Sequence, residues 1–152
     1  GKPFFAVINS TTTHESQIRR KPHTLIHDPQ AAPLPPFYPD LPEVRRDLAQ
    51  ESDNITAMDA EVGARLRELD EAGLAEKTIV FFYSDHGSGM PGYKREARNS
   101  GLRVPLLVRI PPRFRHLAPR DYRPGGSSAR LVSFVDMAPT ALALAGAPIP
   151  PS

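Results

Sequence analysis

The stretch TIVFFYSDHGSGMPGYKREARNSGLRVPLLVR, residues 78–109, decides the fold. It opens with a run of β-branched and aromatic residues that do not alternate with polar ones, which is typical of a strand buried on both faces of a parallel sheet. The tetrapeptide Ser-Asp-His-Gly, residues 84–87, follows at once, and a second apolar run covers residues 104–110. Ligands of open α/β sheets bind where strands end, so Asp85 and His86 are predicted to lie at a ligand-binding edge.

Another apolar run, residues 4–9, predicts a buried strand near the start of the chain, and His14 follows shortly after it. Apolar residues of helical period over residues 53–73 predict a helix between the two strands. Strand, helix and strand with a connection this long favour a crossover and a parallel pair. We therefore predict an α/β fold with a mostly parallel sheet flanked by helices, in which His14 shares an edge with Asp85 and His86. For His14 alone, a loop histidine without a role is an equal alternative.

Prolines are frequent in residues 19–42, which excludes a helix interior or a central strand there. An interdomain linker and a polyproline II segment are alternatives to an ordered excursion over the domain surface. We favour the ordered excursion, because Phe37 and Tyr38 provide apolar anchors. His23 and His27 have no evident partners in the sequence and are interpreted as loop residues.

Composition narrows the classes of function. The chain has 152 residues, a formal charge of +2 and no cysteine, which excludes disulfides, thiolate zinc sites and cysteine nucleophiles within it. No apolar run is long enough for a transmembrane helix, and no basic stripe with interleaved aromatics indicates nucleic-acid binding. The chain starts without methionine or a recognisable leader peptide, so we expect a fragment or a processed chain.

The residues that follow the strands can support metal and anion chemistry. Asp85 and His86 both suit a divalent cation, although at least two further ligands are needed, and a turn that merely uses aspartate and glycine is the alternative. Lys94, nine positions after Asp85, could hold a tetrahedral oxyanion or could be a solvated loop lysine. No G-x-S-x-G motif is present, which argues against a Ser-His-Asp hydrolase.

Together these features resemble the type I sulfatases of the alkaline-phosphatase-like superfamily, and most closely the heparan N-sulfatase-like members. No single piece is specific, but the order and spacing of the pieces are, and they cover nearly the whole chain. The matching pieces are PFF (3–5), TH (13–14), LPPFYPDLPEVRRDL (34–48), MDAEVG (58–63), TIV (78–80), SDHG (84–87), Lys94, GLRVPLLV (101–108) and VDMAPT (135–140).

The resemblance implies a role for each candidate residue. Asp85 resembles a metal-ligand aspartate of the family, and His86 stands where sulfatases commonly carry asparagine. His14 resembles the histidine that contacts the sulfate near the leaving group, and Lys94 resembles the basic residue that binds a sulfate oxygen. The expected cofactor is therefore a divalent metal, with Ca²⁺ the family default and Mn²⁺ or Mg²⁺ as alternatives. Glu51 stands where the family often has an aromatic residue.

The resemblance also implies what lies elsewhere. The family's nucleophile is a formylglycine made in a Cys/Ser-x-Pro-x-Arg motif, which this chain lacks. We therefore expect residues 1–152 to be the carboxyl-side part of a sulfatase catalytic domain, inactive alone, in an exported protein that acts on a sulfated small molecule or polysaccharide. The alternatives are a phosphonate or phosphodiester hydrolase on the same scaffold, which His86 favours, and a non-catalytic sulfatase-like module.

Overall fold

A computed structural model describes residues 2–20 and 23–150. The chain divides into two compact units. The first comprises the residues up to Ala75 together with Phe82–Leu107, and the second comprises Glu76–Phe81 together with the residues from Val108 onward. The helices and strands, in chain order, are α1 (Pro42–Glu71), β1 (Val80–Tyr83), α2 (Asn99–Leu102), β2 (Leu106–Arg109) and α3 (Met137–Leu144), with 3-10 turns at Glu15–Gln17, Pro29–Ala31, Ala75–Lys77, Pro112–Leu117 and Phe134–Asp136.

Helix α1 is the longest element and carries most of the first unit's buried residues. It starts at Pro42, whose fixed φ suits the first helical position. The negative charge of Glu43 in the first turn interacts favourably with the positive end of the helix dipole. It ends before Gly73, whose φ of +65° is the left-handed conformation that glycine adopts without a Cβ clash. The helix is continuous from Pro42 to Glu71, so it begins 11 residues before the helix predicted over residues 53–73. The described helices include none that is both long and apolar enough to cross a membrane.

The predicted strands after α1 are confirmed, and both are shorter than the apolar runs that predicted them. Strands β1 and β2 form a two-stranded antiparallel sheet, and the Ser84 amide donates to the Pro105 carbonyl at 3.3 Å just beyond their paired residues. This is the one sheet among residues 2–20 and 23–150. The mostly parallel sheet predicted from the sequence is therefore not confirmed.

The strand predicted over residues 4–9 does not form, and this part of the prediction is wrong. The segment has no strand assignment, and Phe5 and Ile8 are 79% and 67% exposed. A β-strand exists only through hydrogen bonds to a neighbouring strand. Within the part of the chain that the structure describes, no strand pairs with this segment. The apolar run therefore predicted neither the burial nor the pairing of this segment correctly.

The proline-rich segment is an ordered excursion, as favoured above. The rings of Phe37 and Tyr38 meet edge to face at 4.9 Å, and the Phe37 ring lies 6.0 Å from that of Tyr93. The Tyr38 hydroxyl donates to the carbonyl of Pro91 at 2.6 Å. These contacts hold the segment against the loop that follows β1, so the two aromatic residues are anchors rather than parts of a free linker.

The second unit contains the short helix α3. The helix covers Met137–Leu144, and Gly146, with a φ of +66°, follows its end. None of its residues is buried, and none of the candidate site residues belongs to this unit. The candidate site is therefore a property of the first unit.

Candidate functional site

His14 is held by the turn that it begins. It precedes the 3-10 turn Glu15–Gln17, and its Nδ1 accepts the amide proton of Ser16 at 3.3 Å. A neutral imidazole that accepts at Nδ1 carries its proton on Nε2. That Nε2 lies 3.1 Å from Oε2 of Glu15. The local backbone therefore fixes both the orientation of the His14 ring and the nitrogen that carries the proton.

Lys94 reaches the same carboxylate from a distant part of the sequence. Its Nζ donates to Oε1 and Oε2 of Glu15 at 3.0 and 3.1 Å, across a separation of 79 residues. Its own amide donates to the carbonyl of Ser88 at 2.9 Å, which fixes the loop that carries it. The structure thus brings His14 and Lys94 together around Glu15, and we call these three residues the Glu15 cluster.

The Glu15 carboxylate is strongly stabilised in its ionised form. Its pKa is lowered to about 2, mainly because Lys94 donates to it and also because its own backbone amide does. Partial burial opposes this lowering of the pKa, whereas electrostatic interactions with His14 and Lys94 add to it. An anion therefore occupies the space between the two residues that the sequence assigned to anion binding. Glu15 itself was missed, because a glutamate next to a histidine in a loop carries no pattern of its own.

Asp85 and His86 lie side by side at the carboxyl end of β1, as predicted. Nδ1 of His86 lies 2.6 Å from the Gly87 carbonyl, so Nδ1 donates and Nε2 keeps a free lone pair. That Nε2 is 3.6 Å from Oδ2 of Asp85, whose side chain is 82% exposed. A cation about 2.0–2.2 Å from each atom fits this spacing, and the backbone hydrogen bond on the other ring nitrogen is what metal-binding histidines usually have.

The Asp85–His86 pair fits a cation but does not complete a site. Residues 2–20 and 23–150 contain no group of three or more histidine, cysteine, aspartate or glutamate side chains placed to hold a metal ion. No hydrogen bond or ion pair in these ranges joins the pair to the Glu15 cluster. The structure therefore places two candidate metal ligands at the end of β1. Lys94 and His14 lie elsewhere in the same unit, around the carboxylate of Glu15.

Glycines allow the loop after β1 to fold tightly. A Cβ on Gly87 would lie 2.2 Å from the carbonyl oxygen of Ser100, and a Cβ on Gly101 would lie 2.2 Å from that of Glu96. The Gly87 amide donates to the Gly101 carbonyl at 3.2 Å. Only glycine permits these backbone approaches, so the loop that carries His86 and Lys94 depends on both positions.

Glu51 ties the same loop to α1. The Ser88 hydroxyl donates to its carboxylate. Burial raises the pKa of Glu51, and the hydrogen bond from Ser88 opposes that rise. The sequence offered no interpretation for a glutamate at a position where the resembling family often has an aromatic residue. In this chain Glu51 is a loop anchor.

A second carboxylate holds two histidines that the sequence analysis left as loop residues without partners. Nε2 of His23 and Nδ1 of His27 each lie 2.7 Å from the carboxylate of Asp53, which also accepts the amides of Ile26 and His27 at 3.0 and 2.9 Å. The Asp53 side chain is 2% exposed. We call His23, His27 and Asp53 the Asp53 cluster, and the interpretation of its histidines as unpartnered was wrong.

The Asp53 cluster explains how the proline-rich segment is fixed at its start. Burial raises the pKa of Asp53, but the hydrogen bonds from His27, from His23 and from two backbone amides outweigh it and leave that pKa well below the ordinary value. An acid at the start of the helical apolar pattern is the one sequence signal for this arrangement. Nothing in the sequence pairs that acid with histidines some thirty positions earlier.

Comparison with known proteins identifies the family of the chain. The family model for sulfatases matches residues 1–147. The chain belongs to the sulfatase family. A curated ulvan-active sulfatase of Formosa agariphila is 33% identical over 95% of the chain, and the human N-sulphoglucosamine sulphohydrolase is 36% identical over 82% of it. A mouse steryl-sulfatase is 37% identical over 64%.

Membership in the sulfatase family confirms the resemblance and assigns the chain to the alkaline-phosphatase-like α/β fold class. The sulfatase chain spans 29%, 23% and 17% of the length of these three relatives. It therefore corresponds to under a third of each relative's length.

Proposed function

We propose that this sulfatase chain is the carboxyl-side part of a catalytic domain that hydrolyses a sulfate ester or sulfamate. The observation that carries the proposal is the convergence of Lys94 and His14 on one anion, the carboxylate of Glu15. The same unit places Asp85 and His86 at the end of β1 with donor atoms spaced for one cation. The mostly parallel sheet of the complete domain remains part of this proposal.

Lys94 and His14 have distinct proposed roles. A lysine ammonium has three N–H donors, and the two oxygens of Glu15 engage at most two of them. The remaining N–H of Lys94 would donate to a sulfate oxygen and offset the negative charge that develops during hydrolysis. His14, with its proton on Nε2, would donate a hydrogen bond to the sulfate near the leaving group and so orient it.

Asp85 and His86 would contribute two ligands to a divalent cation, proposed to be Ca²⁺, with Mn²⁺ and Mg²⁺ as alternatives. When bound, such a cation supplies Lewis-acid polarisation of the nucleophile and of a sulfate oxygen. The nucleophile is proposed to be a formylglycine in a part of the protein outside these residues. The residues of this chain would bind and orient the sulfate.

The proposed substrate is a sulfated saccharide or a sulfated small molecule. Two relatives, which are 33% and 36% identical to this chain, have names that indicate their substrates. One name indicates ulvan, and the other indicates an N-sulfated glucosamine. One observation favours a second candidate activity. His86 stands where sulfatases commonly have asparagine, and this histidine favours a phosphonate or phosphodiester hydrolase on the same scaffold.

The test uses the full-length protein that contains this chain, assayed with paired aryl sulfate and aryl phosphodiester substrates. Replacing Lys94 or His14 by alanine should lower kcat/KM for the sulfate by about 10²–10³-fold, the usual effect of losing one oxyanion contact. Lys77→Ala is the matched control, because Lys77 lies in a separate 3-10 turn of the second unit. Near-normal turnover in both active-site variants, with unchanged circular dichroism, would refute the assignment. A preference for the phosphodiester would favour the second activity.

A further inference from the structure

We propose that Glu15 is a positioning residue, which orients the Lys94 ammonium and the His14 imidazole for the sulfate group. The inference rests on the function proposed above and extends it to a residue that the sequence did not single out. Glu15 makes three contacts of 3.0–3.1 Å, two to Lys94 and one to His14. It is the one carboxylate that the described residues place against both side chains.

The benefit of such a contact follows from the flexibility of lysine. A lysine side chain has four rotatable bonds, and ordering it when substrate binds costs conformational entropy. A chelating carboxylate orders the ammonium before substrate arrives and leaves one N–H unused. The side chains of Glu15 and Lys94 are each 23% exposed, so water competes only partly for this contact.

For His14, Glu15 complements the turn that already holds the ring. Nδ1 accepts the Ser16 amide, and Nε2, which carries the proton, faces Oε2 of Glu15. The carboxylate therefore keeps the proton on the nitrogen that would donate a hydrogen bond to the sulfate.

Gly89 shows that the position of Glu15 is closely confined. A Cβ on Gly89 would lie 2.5 Å from Cβ of Glu15 and 2.9 Å from its Oε2, both shorter than real contacts allow. Any side chain at position 89 would displace Glu15. The backbone of the loop after β1 thus passes directly against the side chain of Glu15, and no side chain fits at position 89 beside it.

The experiment is a double-mutant cycle in the full-length protein, with kcat and KM measured separately on an aryl sulfate. We expect Glu15→Gln to lower kcat about tenfold or more, because it removes an orientation needed in the transition state. The change in KM should be smaller, since the carboxylate also repels the substrate anion. In a Lys94→Ala background the same replacement should lower kcat by a smaller factor, because the route through Lys94 is gone and only the contact with His14 remains.

Two further variants separate positioning from a general effect on structure. Glu68→Gln is the matched control, because Glu68 is an exposed glutamate of the same unit that accepts hydrogen bonds from Arg65 and has no contact with Lys94 or His14. Its kcat should stay within about twofold of wild type. Gly89→Ala displaces Glu15 without removing its charge and should reproduce the loss of kcat.

The outcomes are distinct. The inference is overturned if Glu15→Gln leaves kcat unchanged, or if it costs the same factor with and without Lys94. It is also overturned if Glu15→Gln raises kcat/KM, since Glu15 would then be a competitor of the sulfate. Failure of the inference alone appears as an impaired Lys94→Ala beside a normal Glu15→Gln. A normal Lys94→Ala overturns the proposed function and this inference with it. If Glu15→Gln does not fold, Gly89→Ala decides by the same criteria.

Discussion

Replacing Asp53 by alanine should release the start of the proline-rich segment from α1. The carboxylate accepts four hydrogen bonds, two from backbone amides and two from imidazoles, in a side chain that is 2% exposed. The imidazoles of His23 and His27 are 31% and 45% exposed and can turn to water. The two amides, of Ile26 and His27, are the donors that lose their partner.

The magnitude follows from those two amides. A hydrogen bond to a charged group contributes about 1.5–3 kcal/mol, so losing two should cost about 3–4 kcal/mol locally once water partly replaces the acceptor. That cost corresponds to a loss of about 10²–10³-fold in amide protection, since about 1.4 kcal/mol is a factor of ten. Asp53→Asn retains one oxygen acceptor and should lose about half of that free energy.

The assay is amide hydrogen exchange of the full-length protein, followed in peptides that contain Ile26 and His27. The matched control is Asp59→Ala, because Asp59 is an exposed aspartate on the same helix. In this variant the protection of the Ile26 and His27 amides should stay within about 0.5 kcal/mol of wild type. Loss of protection below about threefold in Asp53→Ala would refute the reasoning, because the two amides would then have other acceptors.

The pH dependence of the same protection has a definite sign. The pKa of Asp53 is lowered in the folded protein, so its stabilisation is complete above the unfolded value of about 3.9 and is lost as the pH falls through the lower folded pKa. The Asp53 contribution should therefore be constant from neutral pH down to about pH 4 and decline only below it. Asp53→Asn should lack this acid-induced loss.

Two further predictions concern the loop after β1. Gly101→Ala would place a Cβ 2.2 Å from the Glu96 carbonyl oxygen and should lower the free energy of unfolding by more than about 2 kcal/mol in urea titrations. The control is Gly63→Ala, inside α1, where the new Cβ would lie 3.5 Å from a nitrogen of Arg67, an ordinary contact. This control should raise the free energy of unfolding by about 0.5–1 kcal/mol. Tyr38→Phe removes the hydroxyl that donates to the Pro91 carbonyl and should cost about 1 kcal/mol. Because burial raises the pKa of Tyr38 to about 12, spectroscopic titration should show one late-ionising phenol that Tyr38→Phe lacks.

Local sequence signals predicted the helices and strands that depend on neighbouring residues. Pro42 and Gly73 mark the ends of α1 within two residues, and the apolar run before Asp85 contains β1. The segment over residues 4–9 was predicted wrongly because strand formation requires a partner, and periodicity does not specify one. The direction of β2 relative to β1 was likewise outside what either apolar run encodes.

The candidate site divides along the same line. His14, Lys94, Asp85 and His86 were identifiable from their positions after apolar runs and from the family resemblance, and the structure brings the first two together. Their roles remain proposals. Glu15 could not be predicted, because its importance depends on a contact across 79 residues. Long-range carboxylate contacts of this kind leave no periodic trace in a sequence.

Because α1 is one continuous helix, the two loops that are anchored to it have a fixed spacing along its axis. Glu51 holds the loop after β1 through Ser88, and Glu61 holds the segment before His14 through Thr12. Along an α-helix these two anchors are separated by about 15 Å, and each inserted residue rotates one against the other by about 100°. The relative placement of His14 and Lys94 is therefore encoded partly in the count of residues between two glutamates that touch neither of them.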